Sequence, residues 1–303
     1  MNNIIGIPID EELAKSLGKK GSENSITFYN RSIGENVLIF LCASDLKTKF
    51  YALPEILSLS DIVVLSTKEL GKTFGETIIG CALLKKPVIF TDDNDISAIL
   101  NSVNGLKYSI VAKENLLENI TNALTSMPKE PQGPMTIIDI DKSFEVRGVG
   151  TVLLGFVREG SVKVHSVLYG KDNKEVIIRS IQSQDKDISE AGPGTRVGLA
   201  VKSAKPDEFE KGDVLSSAYI APIKNATFKI LTSPFAKEEI REGKVYGVAN
   251  RFSYSEARIS KNGDSYILSL AKALQLKSGD VLLLSRDESP KIFAAAIIDE
   301  VLH

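Results

Sequence analysis

The run PKEPQGP, Pro128–Pro134, sets three prolines and a glycine in seven residues, and no helix or central strand can continue through it. The residues on its two sides differ in texture. Before it, the apolar runs IIGIPI, SITFYN, NVLIFLCA, DIVVLS, PVIFTD and YSIVAK alternate with the helical patterns DEELAKSLG, KFYALPEILSL, FGETIIGCALLKK, DISAILNSV and ENLLENITNALTSM. Such alternation predicts a doubly wound α/β domain over 1–128, with a mainly parallel sheet covered on both faces. After it, TIIDIDKSFEV, GTVLLGFVREG, KVHSVLYG, EVIIRSIQS, TRVGLAVK and DVLSS are strand-length runs separated by turn residues, which predicts a β-barrel over 134–220. A second all-β unit is expected over 224–303, with TFKILTS, KVYGVANRFSYSEARIS, an Asn262-Gly263 hairpin turn, SYILSL, DVLLLS and KIFAAAIIDEVL. The first unit reads as separable from the rest, because Pro128–Pro134 can neither continue the helix nor pair fully in a sheet.

Composition narrows the chemistry. With 37 Lys+Arg against 39 Asp+Glu in 303 residues, the chain has no overall field for nucleic acid, so any such site must be a local patch. DNA is not expected as a partner. The two histidines, His165 and His303, read as surface residues and are too few for a histidine-based active site or a multi-histidine metal cage. Cys42 and Cys81 sit in apolar runs without metal spacing, as buried free thiols of a reducing compartment would. The start MNNIIGIPIDEELAK has neither a basic segment nor a long apolar run, so a cytoplasmic protein without membrane attachment is expected.

One short motif suggests phosphate. DIVVLSTKELGKT ends in Gly71-Lys72-Thr73, as a phosphate-cradling loop does, but Ser66 stands where that loop needs its first glycine. The plainer reading makes Gly71 a turn breaker, Lys72 a solvated side chain and Thr73 the cap of the following helix. Since a loop after a parallel strand is where α/β folds bind ligands, the phosphate reading stays open.

Two longer blocks carry a family resemblance. VRGVGTVLLGFVREGSVKVHSVLYG, Val146–Gly170, and ISEAGPGTRVGLAVKSAKPDEFEKGDVL, Ile188–Leu215, resemble the second domain of elongation factor Tu and its relatives. Ser180–Gln182 and Lys163–His165 look closest to the selenocysteine-specific (SelB-like) branch. LKSGDVLLLSRDESPKIFAAAIIDEVL, Leu276–Leu302, is similar, more weakly, to the last barrel. The resemblance implies a P-loop-GTPase-like domain followed by two barrels like domains 2 and 3 of elongation factor Tu. It also implies that one face of the first barrel, at Phe144, Val146, Gly148 and Val152, receives the aminoacylated 3′ end of transfer RNA. Around the amino-acid ester, where the family sets an acidic and a basic side chain, this chain has Gln182 and Asp185, a reversal of the local field that puts binding of charged transfer RNA in doubt. Read from the residues alone, Gly148, Gly150 and Gly155 signal either tight barrel packing or the approach of a ligand or another backbone.

The same resemblance demands nucleotide motifs in the first domain, and these are degenerate. Aligned on Gly6, the closing Gly-Lys-[Ser/Thr] of the phosphate loop falls on Glu11, Glu12 and Leu13. A carboxylate about 4 Å from a phosphate charge costs roughly 4 kcal/mol at an effective dielectric near 20, where lysine would attract. The magnesium-binding segment reads Cys42-Ala43-Ser44-Asp45-Leu46, and the guanine-reading segment reads Thr91-Asp92-Asp93-Asn94-Asp95, an acidic loop that also suits the N-terminus of the next helix. No catalytic residue, metal site or cofactor is therefore expected, GTP and magnesium included. Three functions follow. The first is a translation elongation factor-like protein that binds transfer RNA, ribosome or a translation factor without hydrolysing nucleotide. The second is a GTPase or phosphotransferase with its site rearranged around Lys72, Thr73 and the 91–95 loop, and the third is a regulatory scaffold for another protein.

Overall fold

The computed structural model describes residues 3–34, 36–91, 94–103, 105–127, 133–236, 240–263 and 265–302. Most of the linker, with Asp92, Asp93 and His303, lies outside them. The first unit runs β1 (Asn3–Gly6), α1 (Glu11–Leu17), β2 (Lys19–Glu23), β3 (Ile26–Ile33), β4 (Asn36–Ala43), α2 (Ala52–Leu59), β5 (Ile62–Ser66), α3 (Lys72–Leu83), β6 (Val88–Thr91), α4 (Ser97–Ser102), β7 (Tyr108–Val111) and α5 (Leu116–Ser126). Its sheet has the order β2-β3-β4-β1-β5-β6-β7, parallel from β4 to β7 and antiparallel at β2 and β3. Leu13, Leu17, Ile120 and Leu124 of α1 and α5 cover one face, and Leu53, Leu57, Phe74 and Ile78 of α2 and α3 cover the other.

The first barrel comprises β8 (Ile137–Val146), β9 (Gly150–Glu159), β10 (Val162–Lys163), β11 (Val167–Tyr169), β12 (Glu175–Ser183), β13 (Lys186–Ile188), β14 (Glu190–Ala191), β15 (Arg196–Lys202) and β16 (Val214–Ser216). Six of these form the ring β11-β16-β8-β9-β15-β12, closed by the β11–β12 pairing around Ile138, Leu153, Ile181 and Leu199. The second barrel comprises β17 (Pro222–Thr232), β18 (Val245–Asn250), β19 (Ser253–Asn262), β20 (Ser265–Gln275), β21 (Val281–Ser285) and β22 (Ile292–Leu302). It closes in the order β17-β20-β19-β18-β21-β22, with Phe228, Val248, Leu268 and Phe293 inside.

The structure departs from the sequence reading at several points. The edge strand β2, KKGSE, is exposed along its whole length, so no apolar alternation announces it. The run KVHSVLYG is broken at His165 (φ +71°), an exposed residue, and KVYGVANRFSYSEARIS is broken into β18 and β19 at Arg251 (φ +54°). Asn262 belongs to the ladder opposite Ser265, so the hairpin turn begins one residue later, at Gly263. Thr73 does not cap α3, because Gly71 occupies the cap position without any side-chain bond. Cys42 and Cys81 are buried and free, and burial pushes each thiol up to about 12. The first unit does not stand apart in its packing: the core on its α2–α3 face includes Leu283, Ile292 and Ala295 of the second barrel.

Candidate functional site

The loop after β1 is where an α/β fold of this order binds phosphate, and here α1 closes it. Asp10 accepts the Leu13 N–H at 2.8 Å and so occupies the helix end with its own carboxylate. Glu11 and Glu12 follow in the first turn. Glu11 accepts the Tyr29 hydroxyl at 2.7 Å, and that bond, with Lys15, outweighs burial and holds its carboxyl below the ordinary range. Leu13, at the position where the motif has a hydroxyl, is core. Gly6 has a packing reason of its own: a Cβ there would lie 2.6 Å from Ser60 Oγ and 3.1 Å from Ile56 Cγ2.

The neighbouring loops are also engaged locally. Asp45 accepts the Lys47 N–H at 2.9 Å and the Thr48 hydroxyl at 2.6 Å, and the hydroxyl chiefly holds it below its ordinary value. Thr91 is buried at the end of β6, and its carbonyl accepts the Thr67 N–H at 2.9 Å. Asp95 receives the Ser97 N–H at 2.9 Å and so serves the first turn of α4. The structure does bring the loop before Gly71-Lys72-Thr73 against the loop after β6, since Asn94 Nδ2 donates to the Thr67 carbonyl at 2.6 Å. Gly71 and Lys72 are exposed and Thr73 is half-buried.

The first barrel carries the other candidates on one outward face. Phe144, Val152, Ala200 and Ser180 lie in one row across β8, β9, β15 and β12, and Lys142, Leu154, Gly198 and Gln182 lie in the next. Phe144 and Val152 are half-buried, and the Lys142 ammonium sits 5.9 Å from the Phe144 ring centroid. Val146 pairs with Gly150 at the hairpin end. Gly148, at the hairpin tip with φ +81°, has no heavy atom within 4 Å of a Cβ position, so the turn accounts for this glycine. Gly155 differs, because its Cβ would overlap the Asp139 carbonyl oxygen, and barrel packing accounts for it.

Gln182 and Asp185 are not brought together as a pair. Gln182 Nε2 donates to Asp187 Oδ1 at 2.9 Å, while Asp185 sits in the exposed turn that follows, with φ +58°. The residue missed by the sequence reading is Arg196, in the row beyond Gln182, opposite Phe156. Its guanidinium lies 4.0 Å from the Phe28 ring centroid, donates to Ser22 Oγ at 2.6 Å and pairs with Asp141 at 3.5 Å, so this face does present a guanidinium at its inner edge. Its burial and its partners come from distant strands, and no local pattern records that.

The chain is thus an α/β domain followed by two six-stranded barrels, and known proteins share this architecture. No family model matches the chain. It is 29% identical over 296 residues to an uncharacterized protein of Methanocaldococcus jannaschii, covering 93% of this chain and 94% of that protein. It is also 29% identical over 278 residues to the selenocysteine-specific elongation factor of the same organism, covering 76% of this chain but only 59% of that factor. In solved structures, the apo form of translation elongation factor SelB from Methanococcus maripaludis superposes with a TM-score of 0.82 at 18% identity, covering 100% of this chain and 80% of that one. The complex of that factor with the GTP analogue GppNHp superposes at 0.84, also at 18% identity, covering 99% and 79%. In sequence the chain is similar to the selenocysteine-specific elongation factor, and in fold to the solved SelB structures.

Proposed function

We propose that the chain is a non-hydrolysing binding module of the translation apparatus, in which the first domain keeps the GTPase-like fold without its nucleotide chemistry. The observation that carries this is the start of α1, where Asp10, Glu11 and Glu12 present three carboxylates in place of the glycine-rich loop and lysine that neutralise phosphates. On this reading GTP and GDP bind no better than Kd about 100 μM, roughly 5.5 kcal/mol of binding free energy. Calorimetry with GDP and Mg²⁺ checks it, and micromolar binding would refute it. The units run over 1–128, 134–220 and 224–303, and the setting is cytoplasmic. Among the described residues no helix is long and apolar enough to cross a membrane.

The partners on this reading are transfer RNA, the ribosome or a translation factor, met by the open rows of the first barrel. Phe144 and Val152 supply apolar walls on which a base can stack, and Lys142 a single cation beside them. Binding of aminoacylated and uncharged transfer RNA, measured by filter retention at two salt concentrations, should show a shallow salt slope, because few cations face the ligand. Phe144→Ala should weaken retention by about fivefold or more, in line with the roughly 1–3 kcal/mol typical of base–aromatic stacking. With Gln182 held by Asp187, little discrimination between the two forms is expected. Failure of both to bind, with ribosome-free purification, would favour the protein-binding scaffold.

The adjacency of the Gly71-Lys72-Thr73 segment and the 91–95 loop through Asn94 supports a second reading, a rearranged phosphate site. If GDP does bind in the calorimeter, loss of that binding in Lys72→Ala assigns it there.

A further inference from the structure

The outward face of the first barrel continues inward from its open rows to a buried row, Asp139, Phe156 and Arg196. At Phe156 one aromatic ring from each unit meets: Phe28 of β3 stacks on Phe156 at 6.1 Å and 27°, and Phe252, between β18 and β19, stacks on it at 6.0 Å and 25°. Lys211 fastens the same point. From the first barrel its ammonium reaches Glu55 of α2 at 2.6 Å and Ser25 at 3.0 Å, and lies 5.5 Å from the Phe252 ring of the second barrel.

The other contacts between units are as closely engaged. All eight residues of α2 are buried, Glu55 and Ser58 included. The Glu76 carboxylate of α3 accepts the backbone N–H groups of Lys291 at 2.6 Å and Ile292 at 2.8 Å. Gly80 lets Leu57 lie against α3, and Ile292 of the second barrel reaches within 3.5 Å of the same point. Asp139 is gripped by Arg158 of its own barrel and Arg251 of the second, and Arg158 also pairs with Asp280 at 3.6 Å. Gln275 accepts the Val214 N–H at 2.8 Å and donates to the Ile220 carbonyl at 3.0 Å, closing the seam between the barrels.

Domains that move relative to one another meet through modest polar interfaces, whereas a large apolar interface holds them. Here the first unit and the second barrel share one core, so rotation between them would expose Leu53, Leu57, Phe74 and Ile292 to water together, and Phe156 of the first barrel is buried in a second cluster with Phe28 and Phe252. We infer that the three units are permanently locked into one cooperative body, with the Phe28–Phe156–Phe252 stack and Lys211 as its joint, and that no nucleotide drives a rearrangement of the domains. This goes beyond the proposed function and does not depend on RNA binding.

Native-state hydrogen exchange, resolved by mass spectrometry across a denaturant series, tests the lock. In the full chain, the slowest amides of β5, β9 and β21 should exchange through one common opening with the same denaturant dependence. Phe252→Ala should uncouple them, so that the β5 amides exchange at least tenfold faster than those of β9. Lys211→Met, which leaves the aromatic stack in place, should uncouple them in the same direction and keeps the test open if Phe252→Ala does not fold. Independent exchange of β5 and β21 in the unaltered protein would overturn the inference, as would a change in small-angle scattering on adding GppNHp and Mg²⁺. Micromolar GDP binding with unchanged scattering would refute the nucleotide-free reading and support the lock.

Discussion

Replacing Asp139 by alanine is expected to destabilise the protein by about 3–5 kcal/mol, because removing one member of a buried ion cluster leaves the others charged and unpaired. The Asp139 side chain is 3% exposed, and its partners Arg158 and Arg251 are 11% and 18% exposed, so the cluster is largely withdrawn from water. Arg158 would keep its ion pair with Asp280, at 3.6 Å. Burial alone would raise the Asp139 carboxyl, but the two guanidiniums outweigh it and hold the group below its ordinary value. A lowered folded-state value means that the contribution is present above the unfolded carboxylate value, about 3.9, and is lost as pH falls through the folded one. Urea unfolding of both proteins at pH 7 and pH 3 checks both points: the difference should be full at pH 7 and smaller at pH 3. A difference below about 1 kcal/mol at pH 7 would show that the cluster contributes no more than a surface pair.

What the sequence showed and what it hid divide along physical lines. Runs such as NVLIFLCA and EVIIRSIQS were legible because burial imposes a pattern on consecutive residues, and both are strands over their whole length. The strand KKGSE was not, since an exposed edge needs no apolar residue. The barrel run broken at Arg251 was misread because a two-residue turn can be made by an arginine in the left-handed region, without glycine or proline to mark it. The joint was the least legible feature. Phe28, Phe156 and Phe252 each look like ordinary core residues of their own unit, and only the tertiary fold shows that they fill one another's space. The proposed loss of phosphate binding, by contrast, rests on Glu11 and Glu12, because reversing charge at a fixed spacing reverses the chemistry whatever the packing. The structure adds that Asp10 and Tyr29 have taken over the bonding there.

Gly155→Ala should cost about 3 kcal/mol, whereas Gly148→Ala, at the tip of the same β8–β9 hairpin, should cost about 1–2 kcal/mol. In sequence the two glycines read alike, as punctuation of one β segment, and the structure separates them by mechanism. At Gly148 the space is open and the cost is conformational: φ of +81° is the region an L-residue enters only at about 1–2 kcal/mol. At Gly155 the conformation is ordinary and the cost is steric, because the added methyl would overlap the Asp139 carbonyl oxygen and lie 3.1 Å from its carbonyl carbon. Backbone cannot turn aside as a side chain can, so β8 must shift, at the upper end of the 1–3 kcal/mol usual for overpacking. The register irregularity between Ile140 and Lys142 leaves β8 little further slack at that point. Such a shift would carry Asp139 away from Arg251, so Gly155→Ala and Asp139→Ala should be less than additive when combined, while Gly148→Ala and Asp139→Ala should add. Equilibrium unfolding in urea of the single and double variants measures all of this. Equal costs at the two glycines, or full additivity at Gly155, would mean that the β8–β9 ladder relaxes without disturbing the joint.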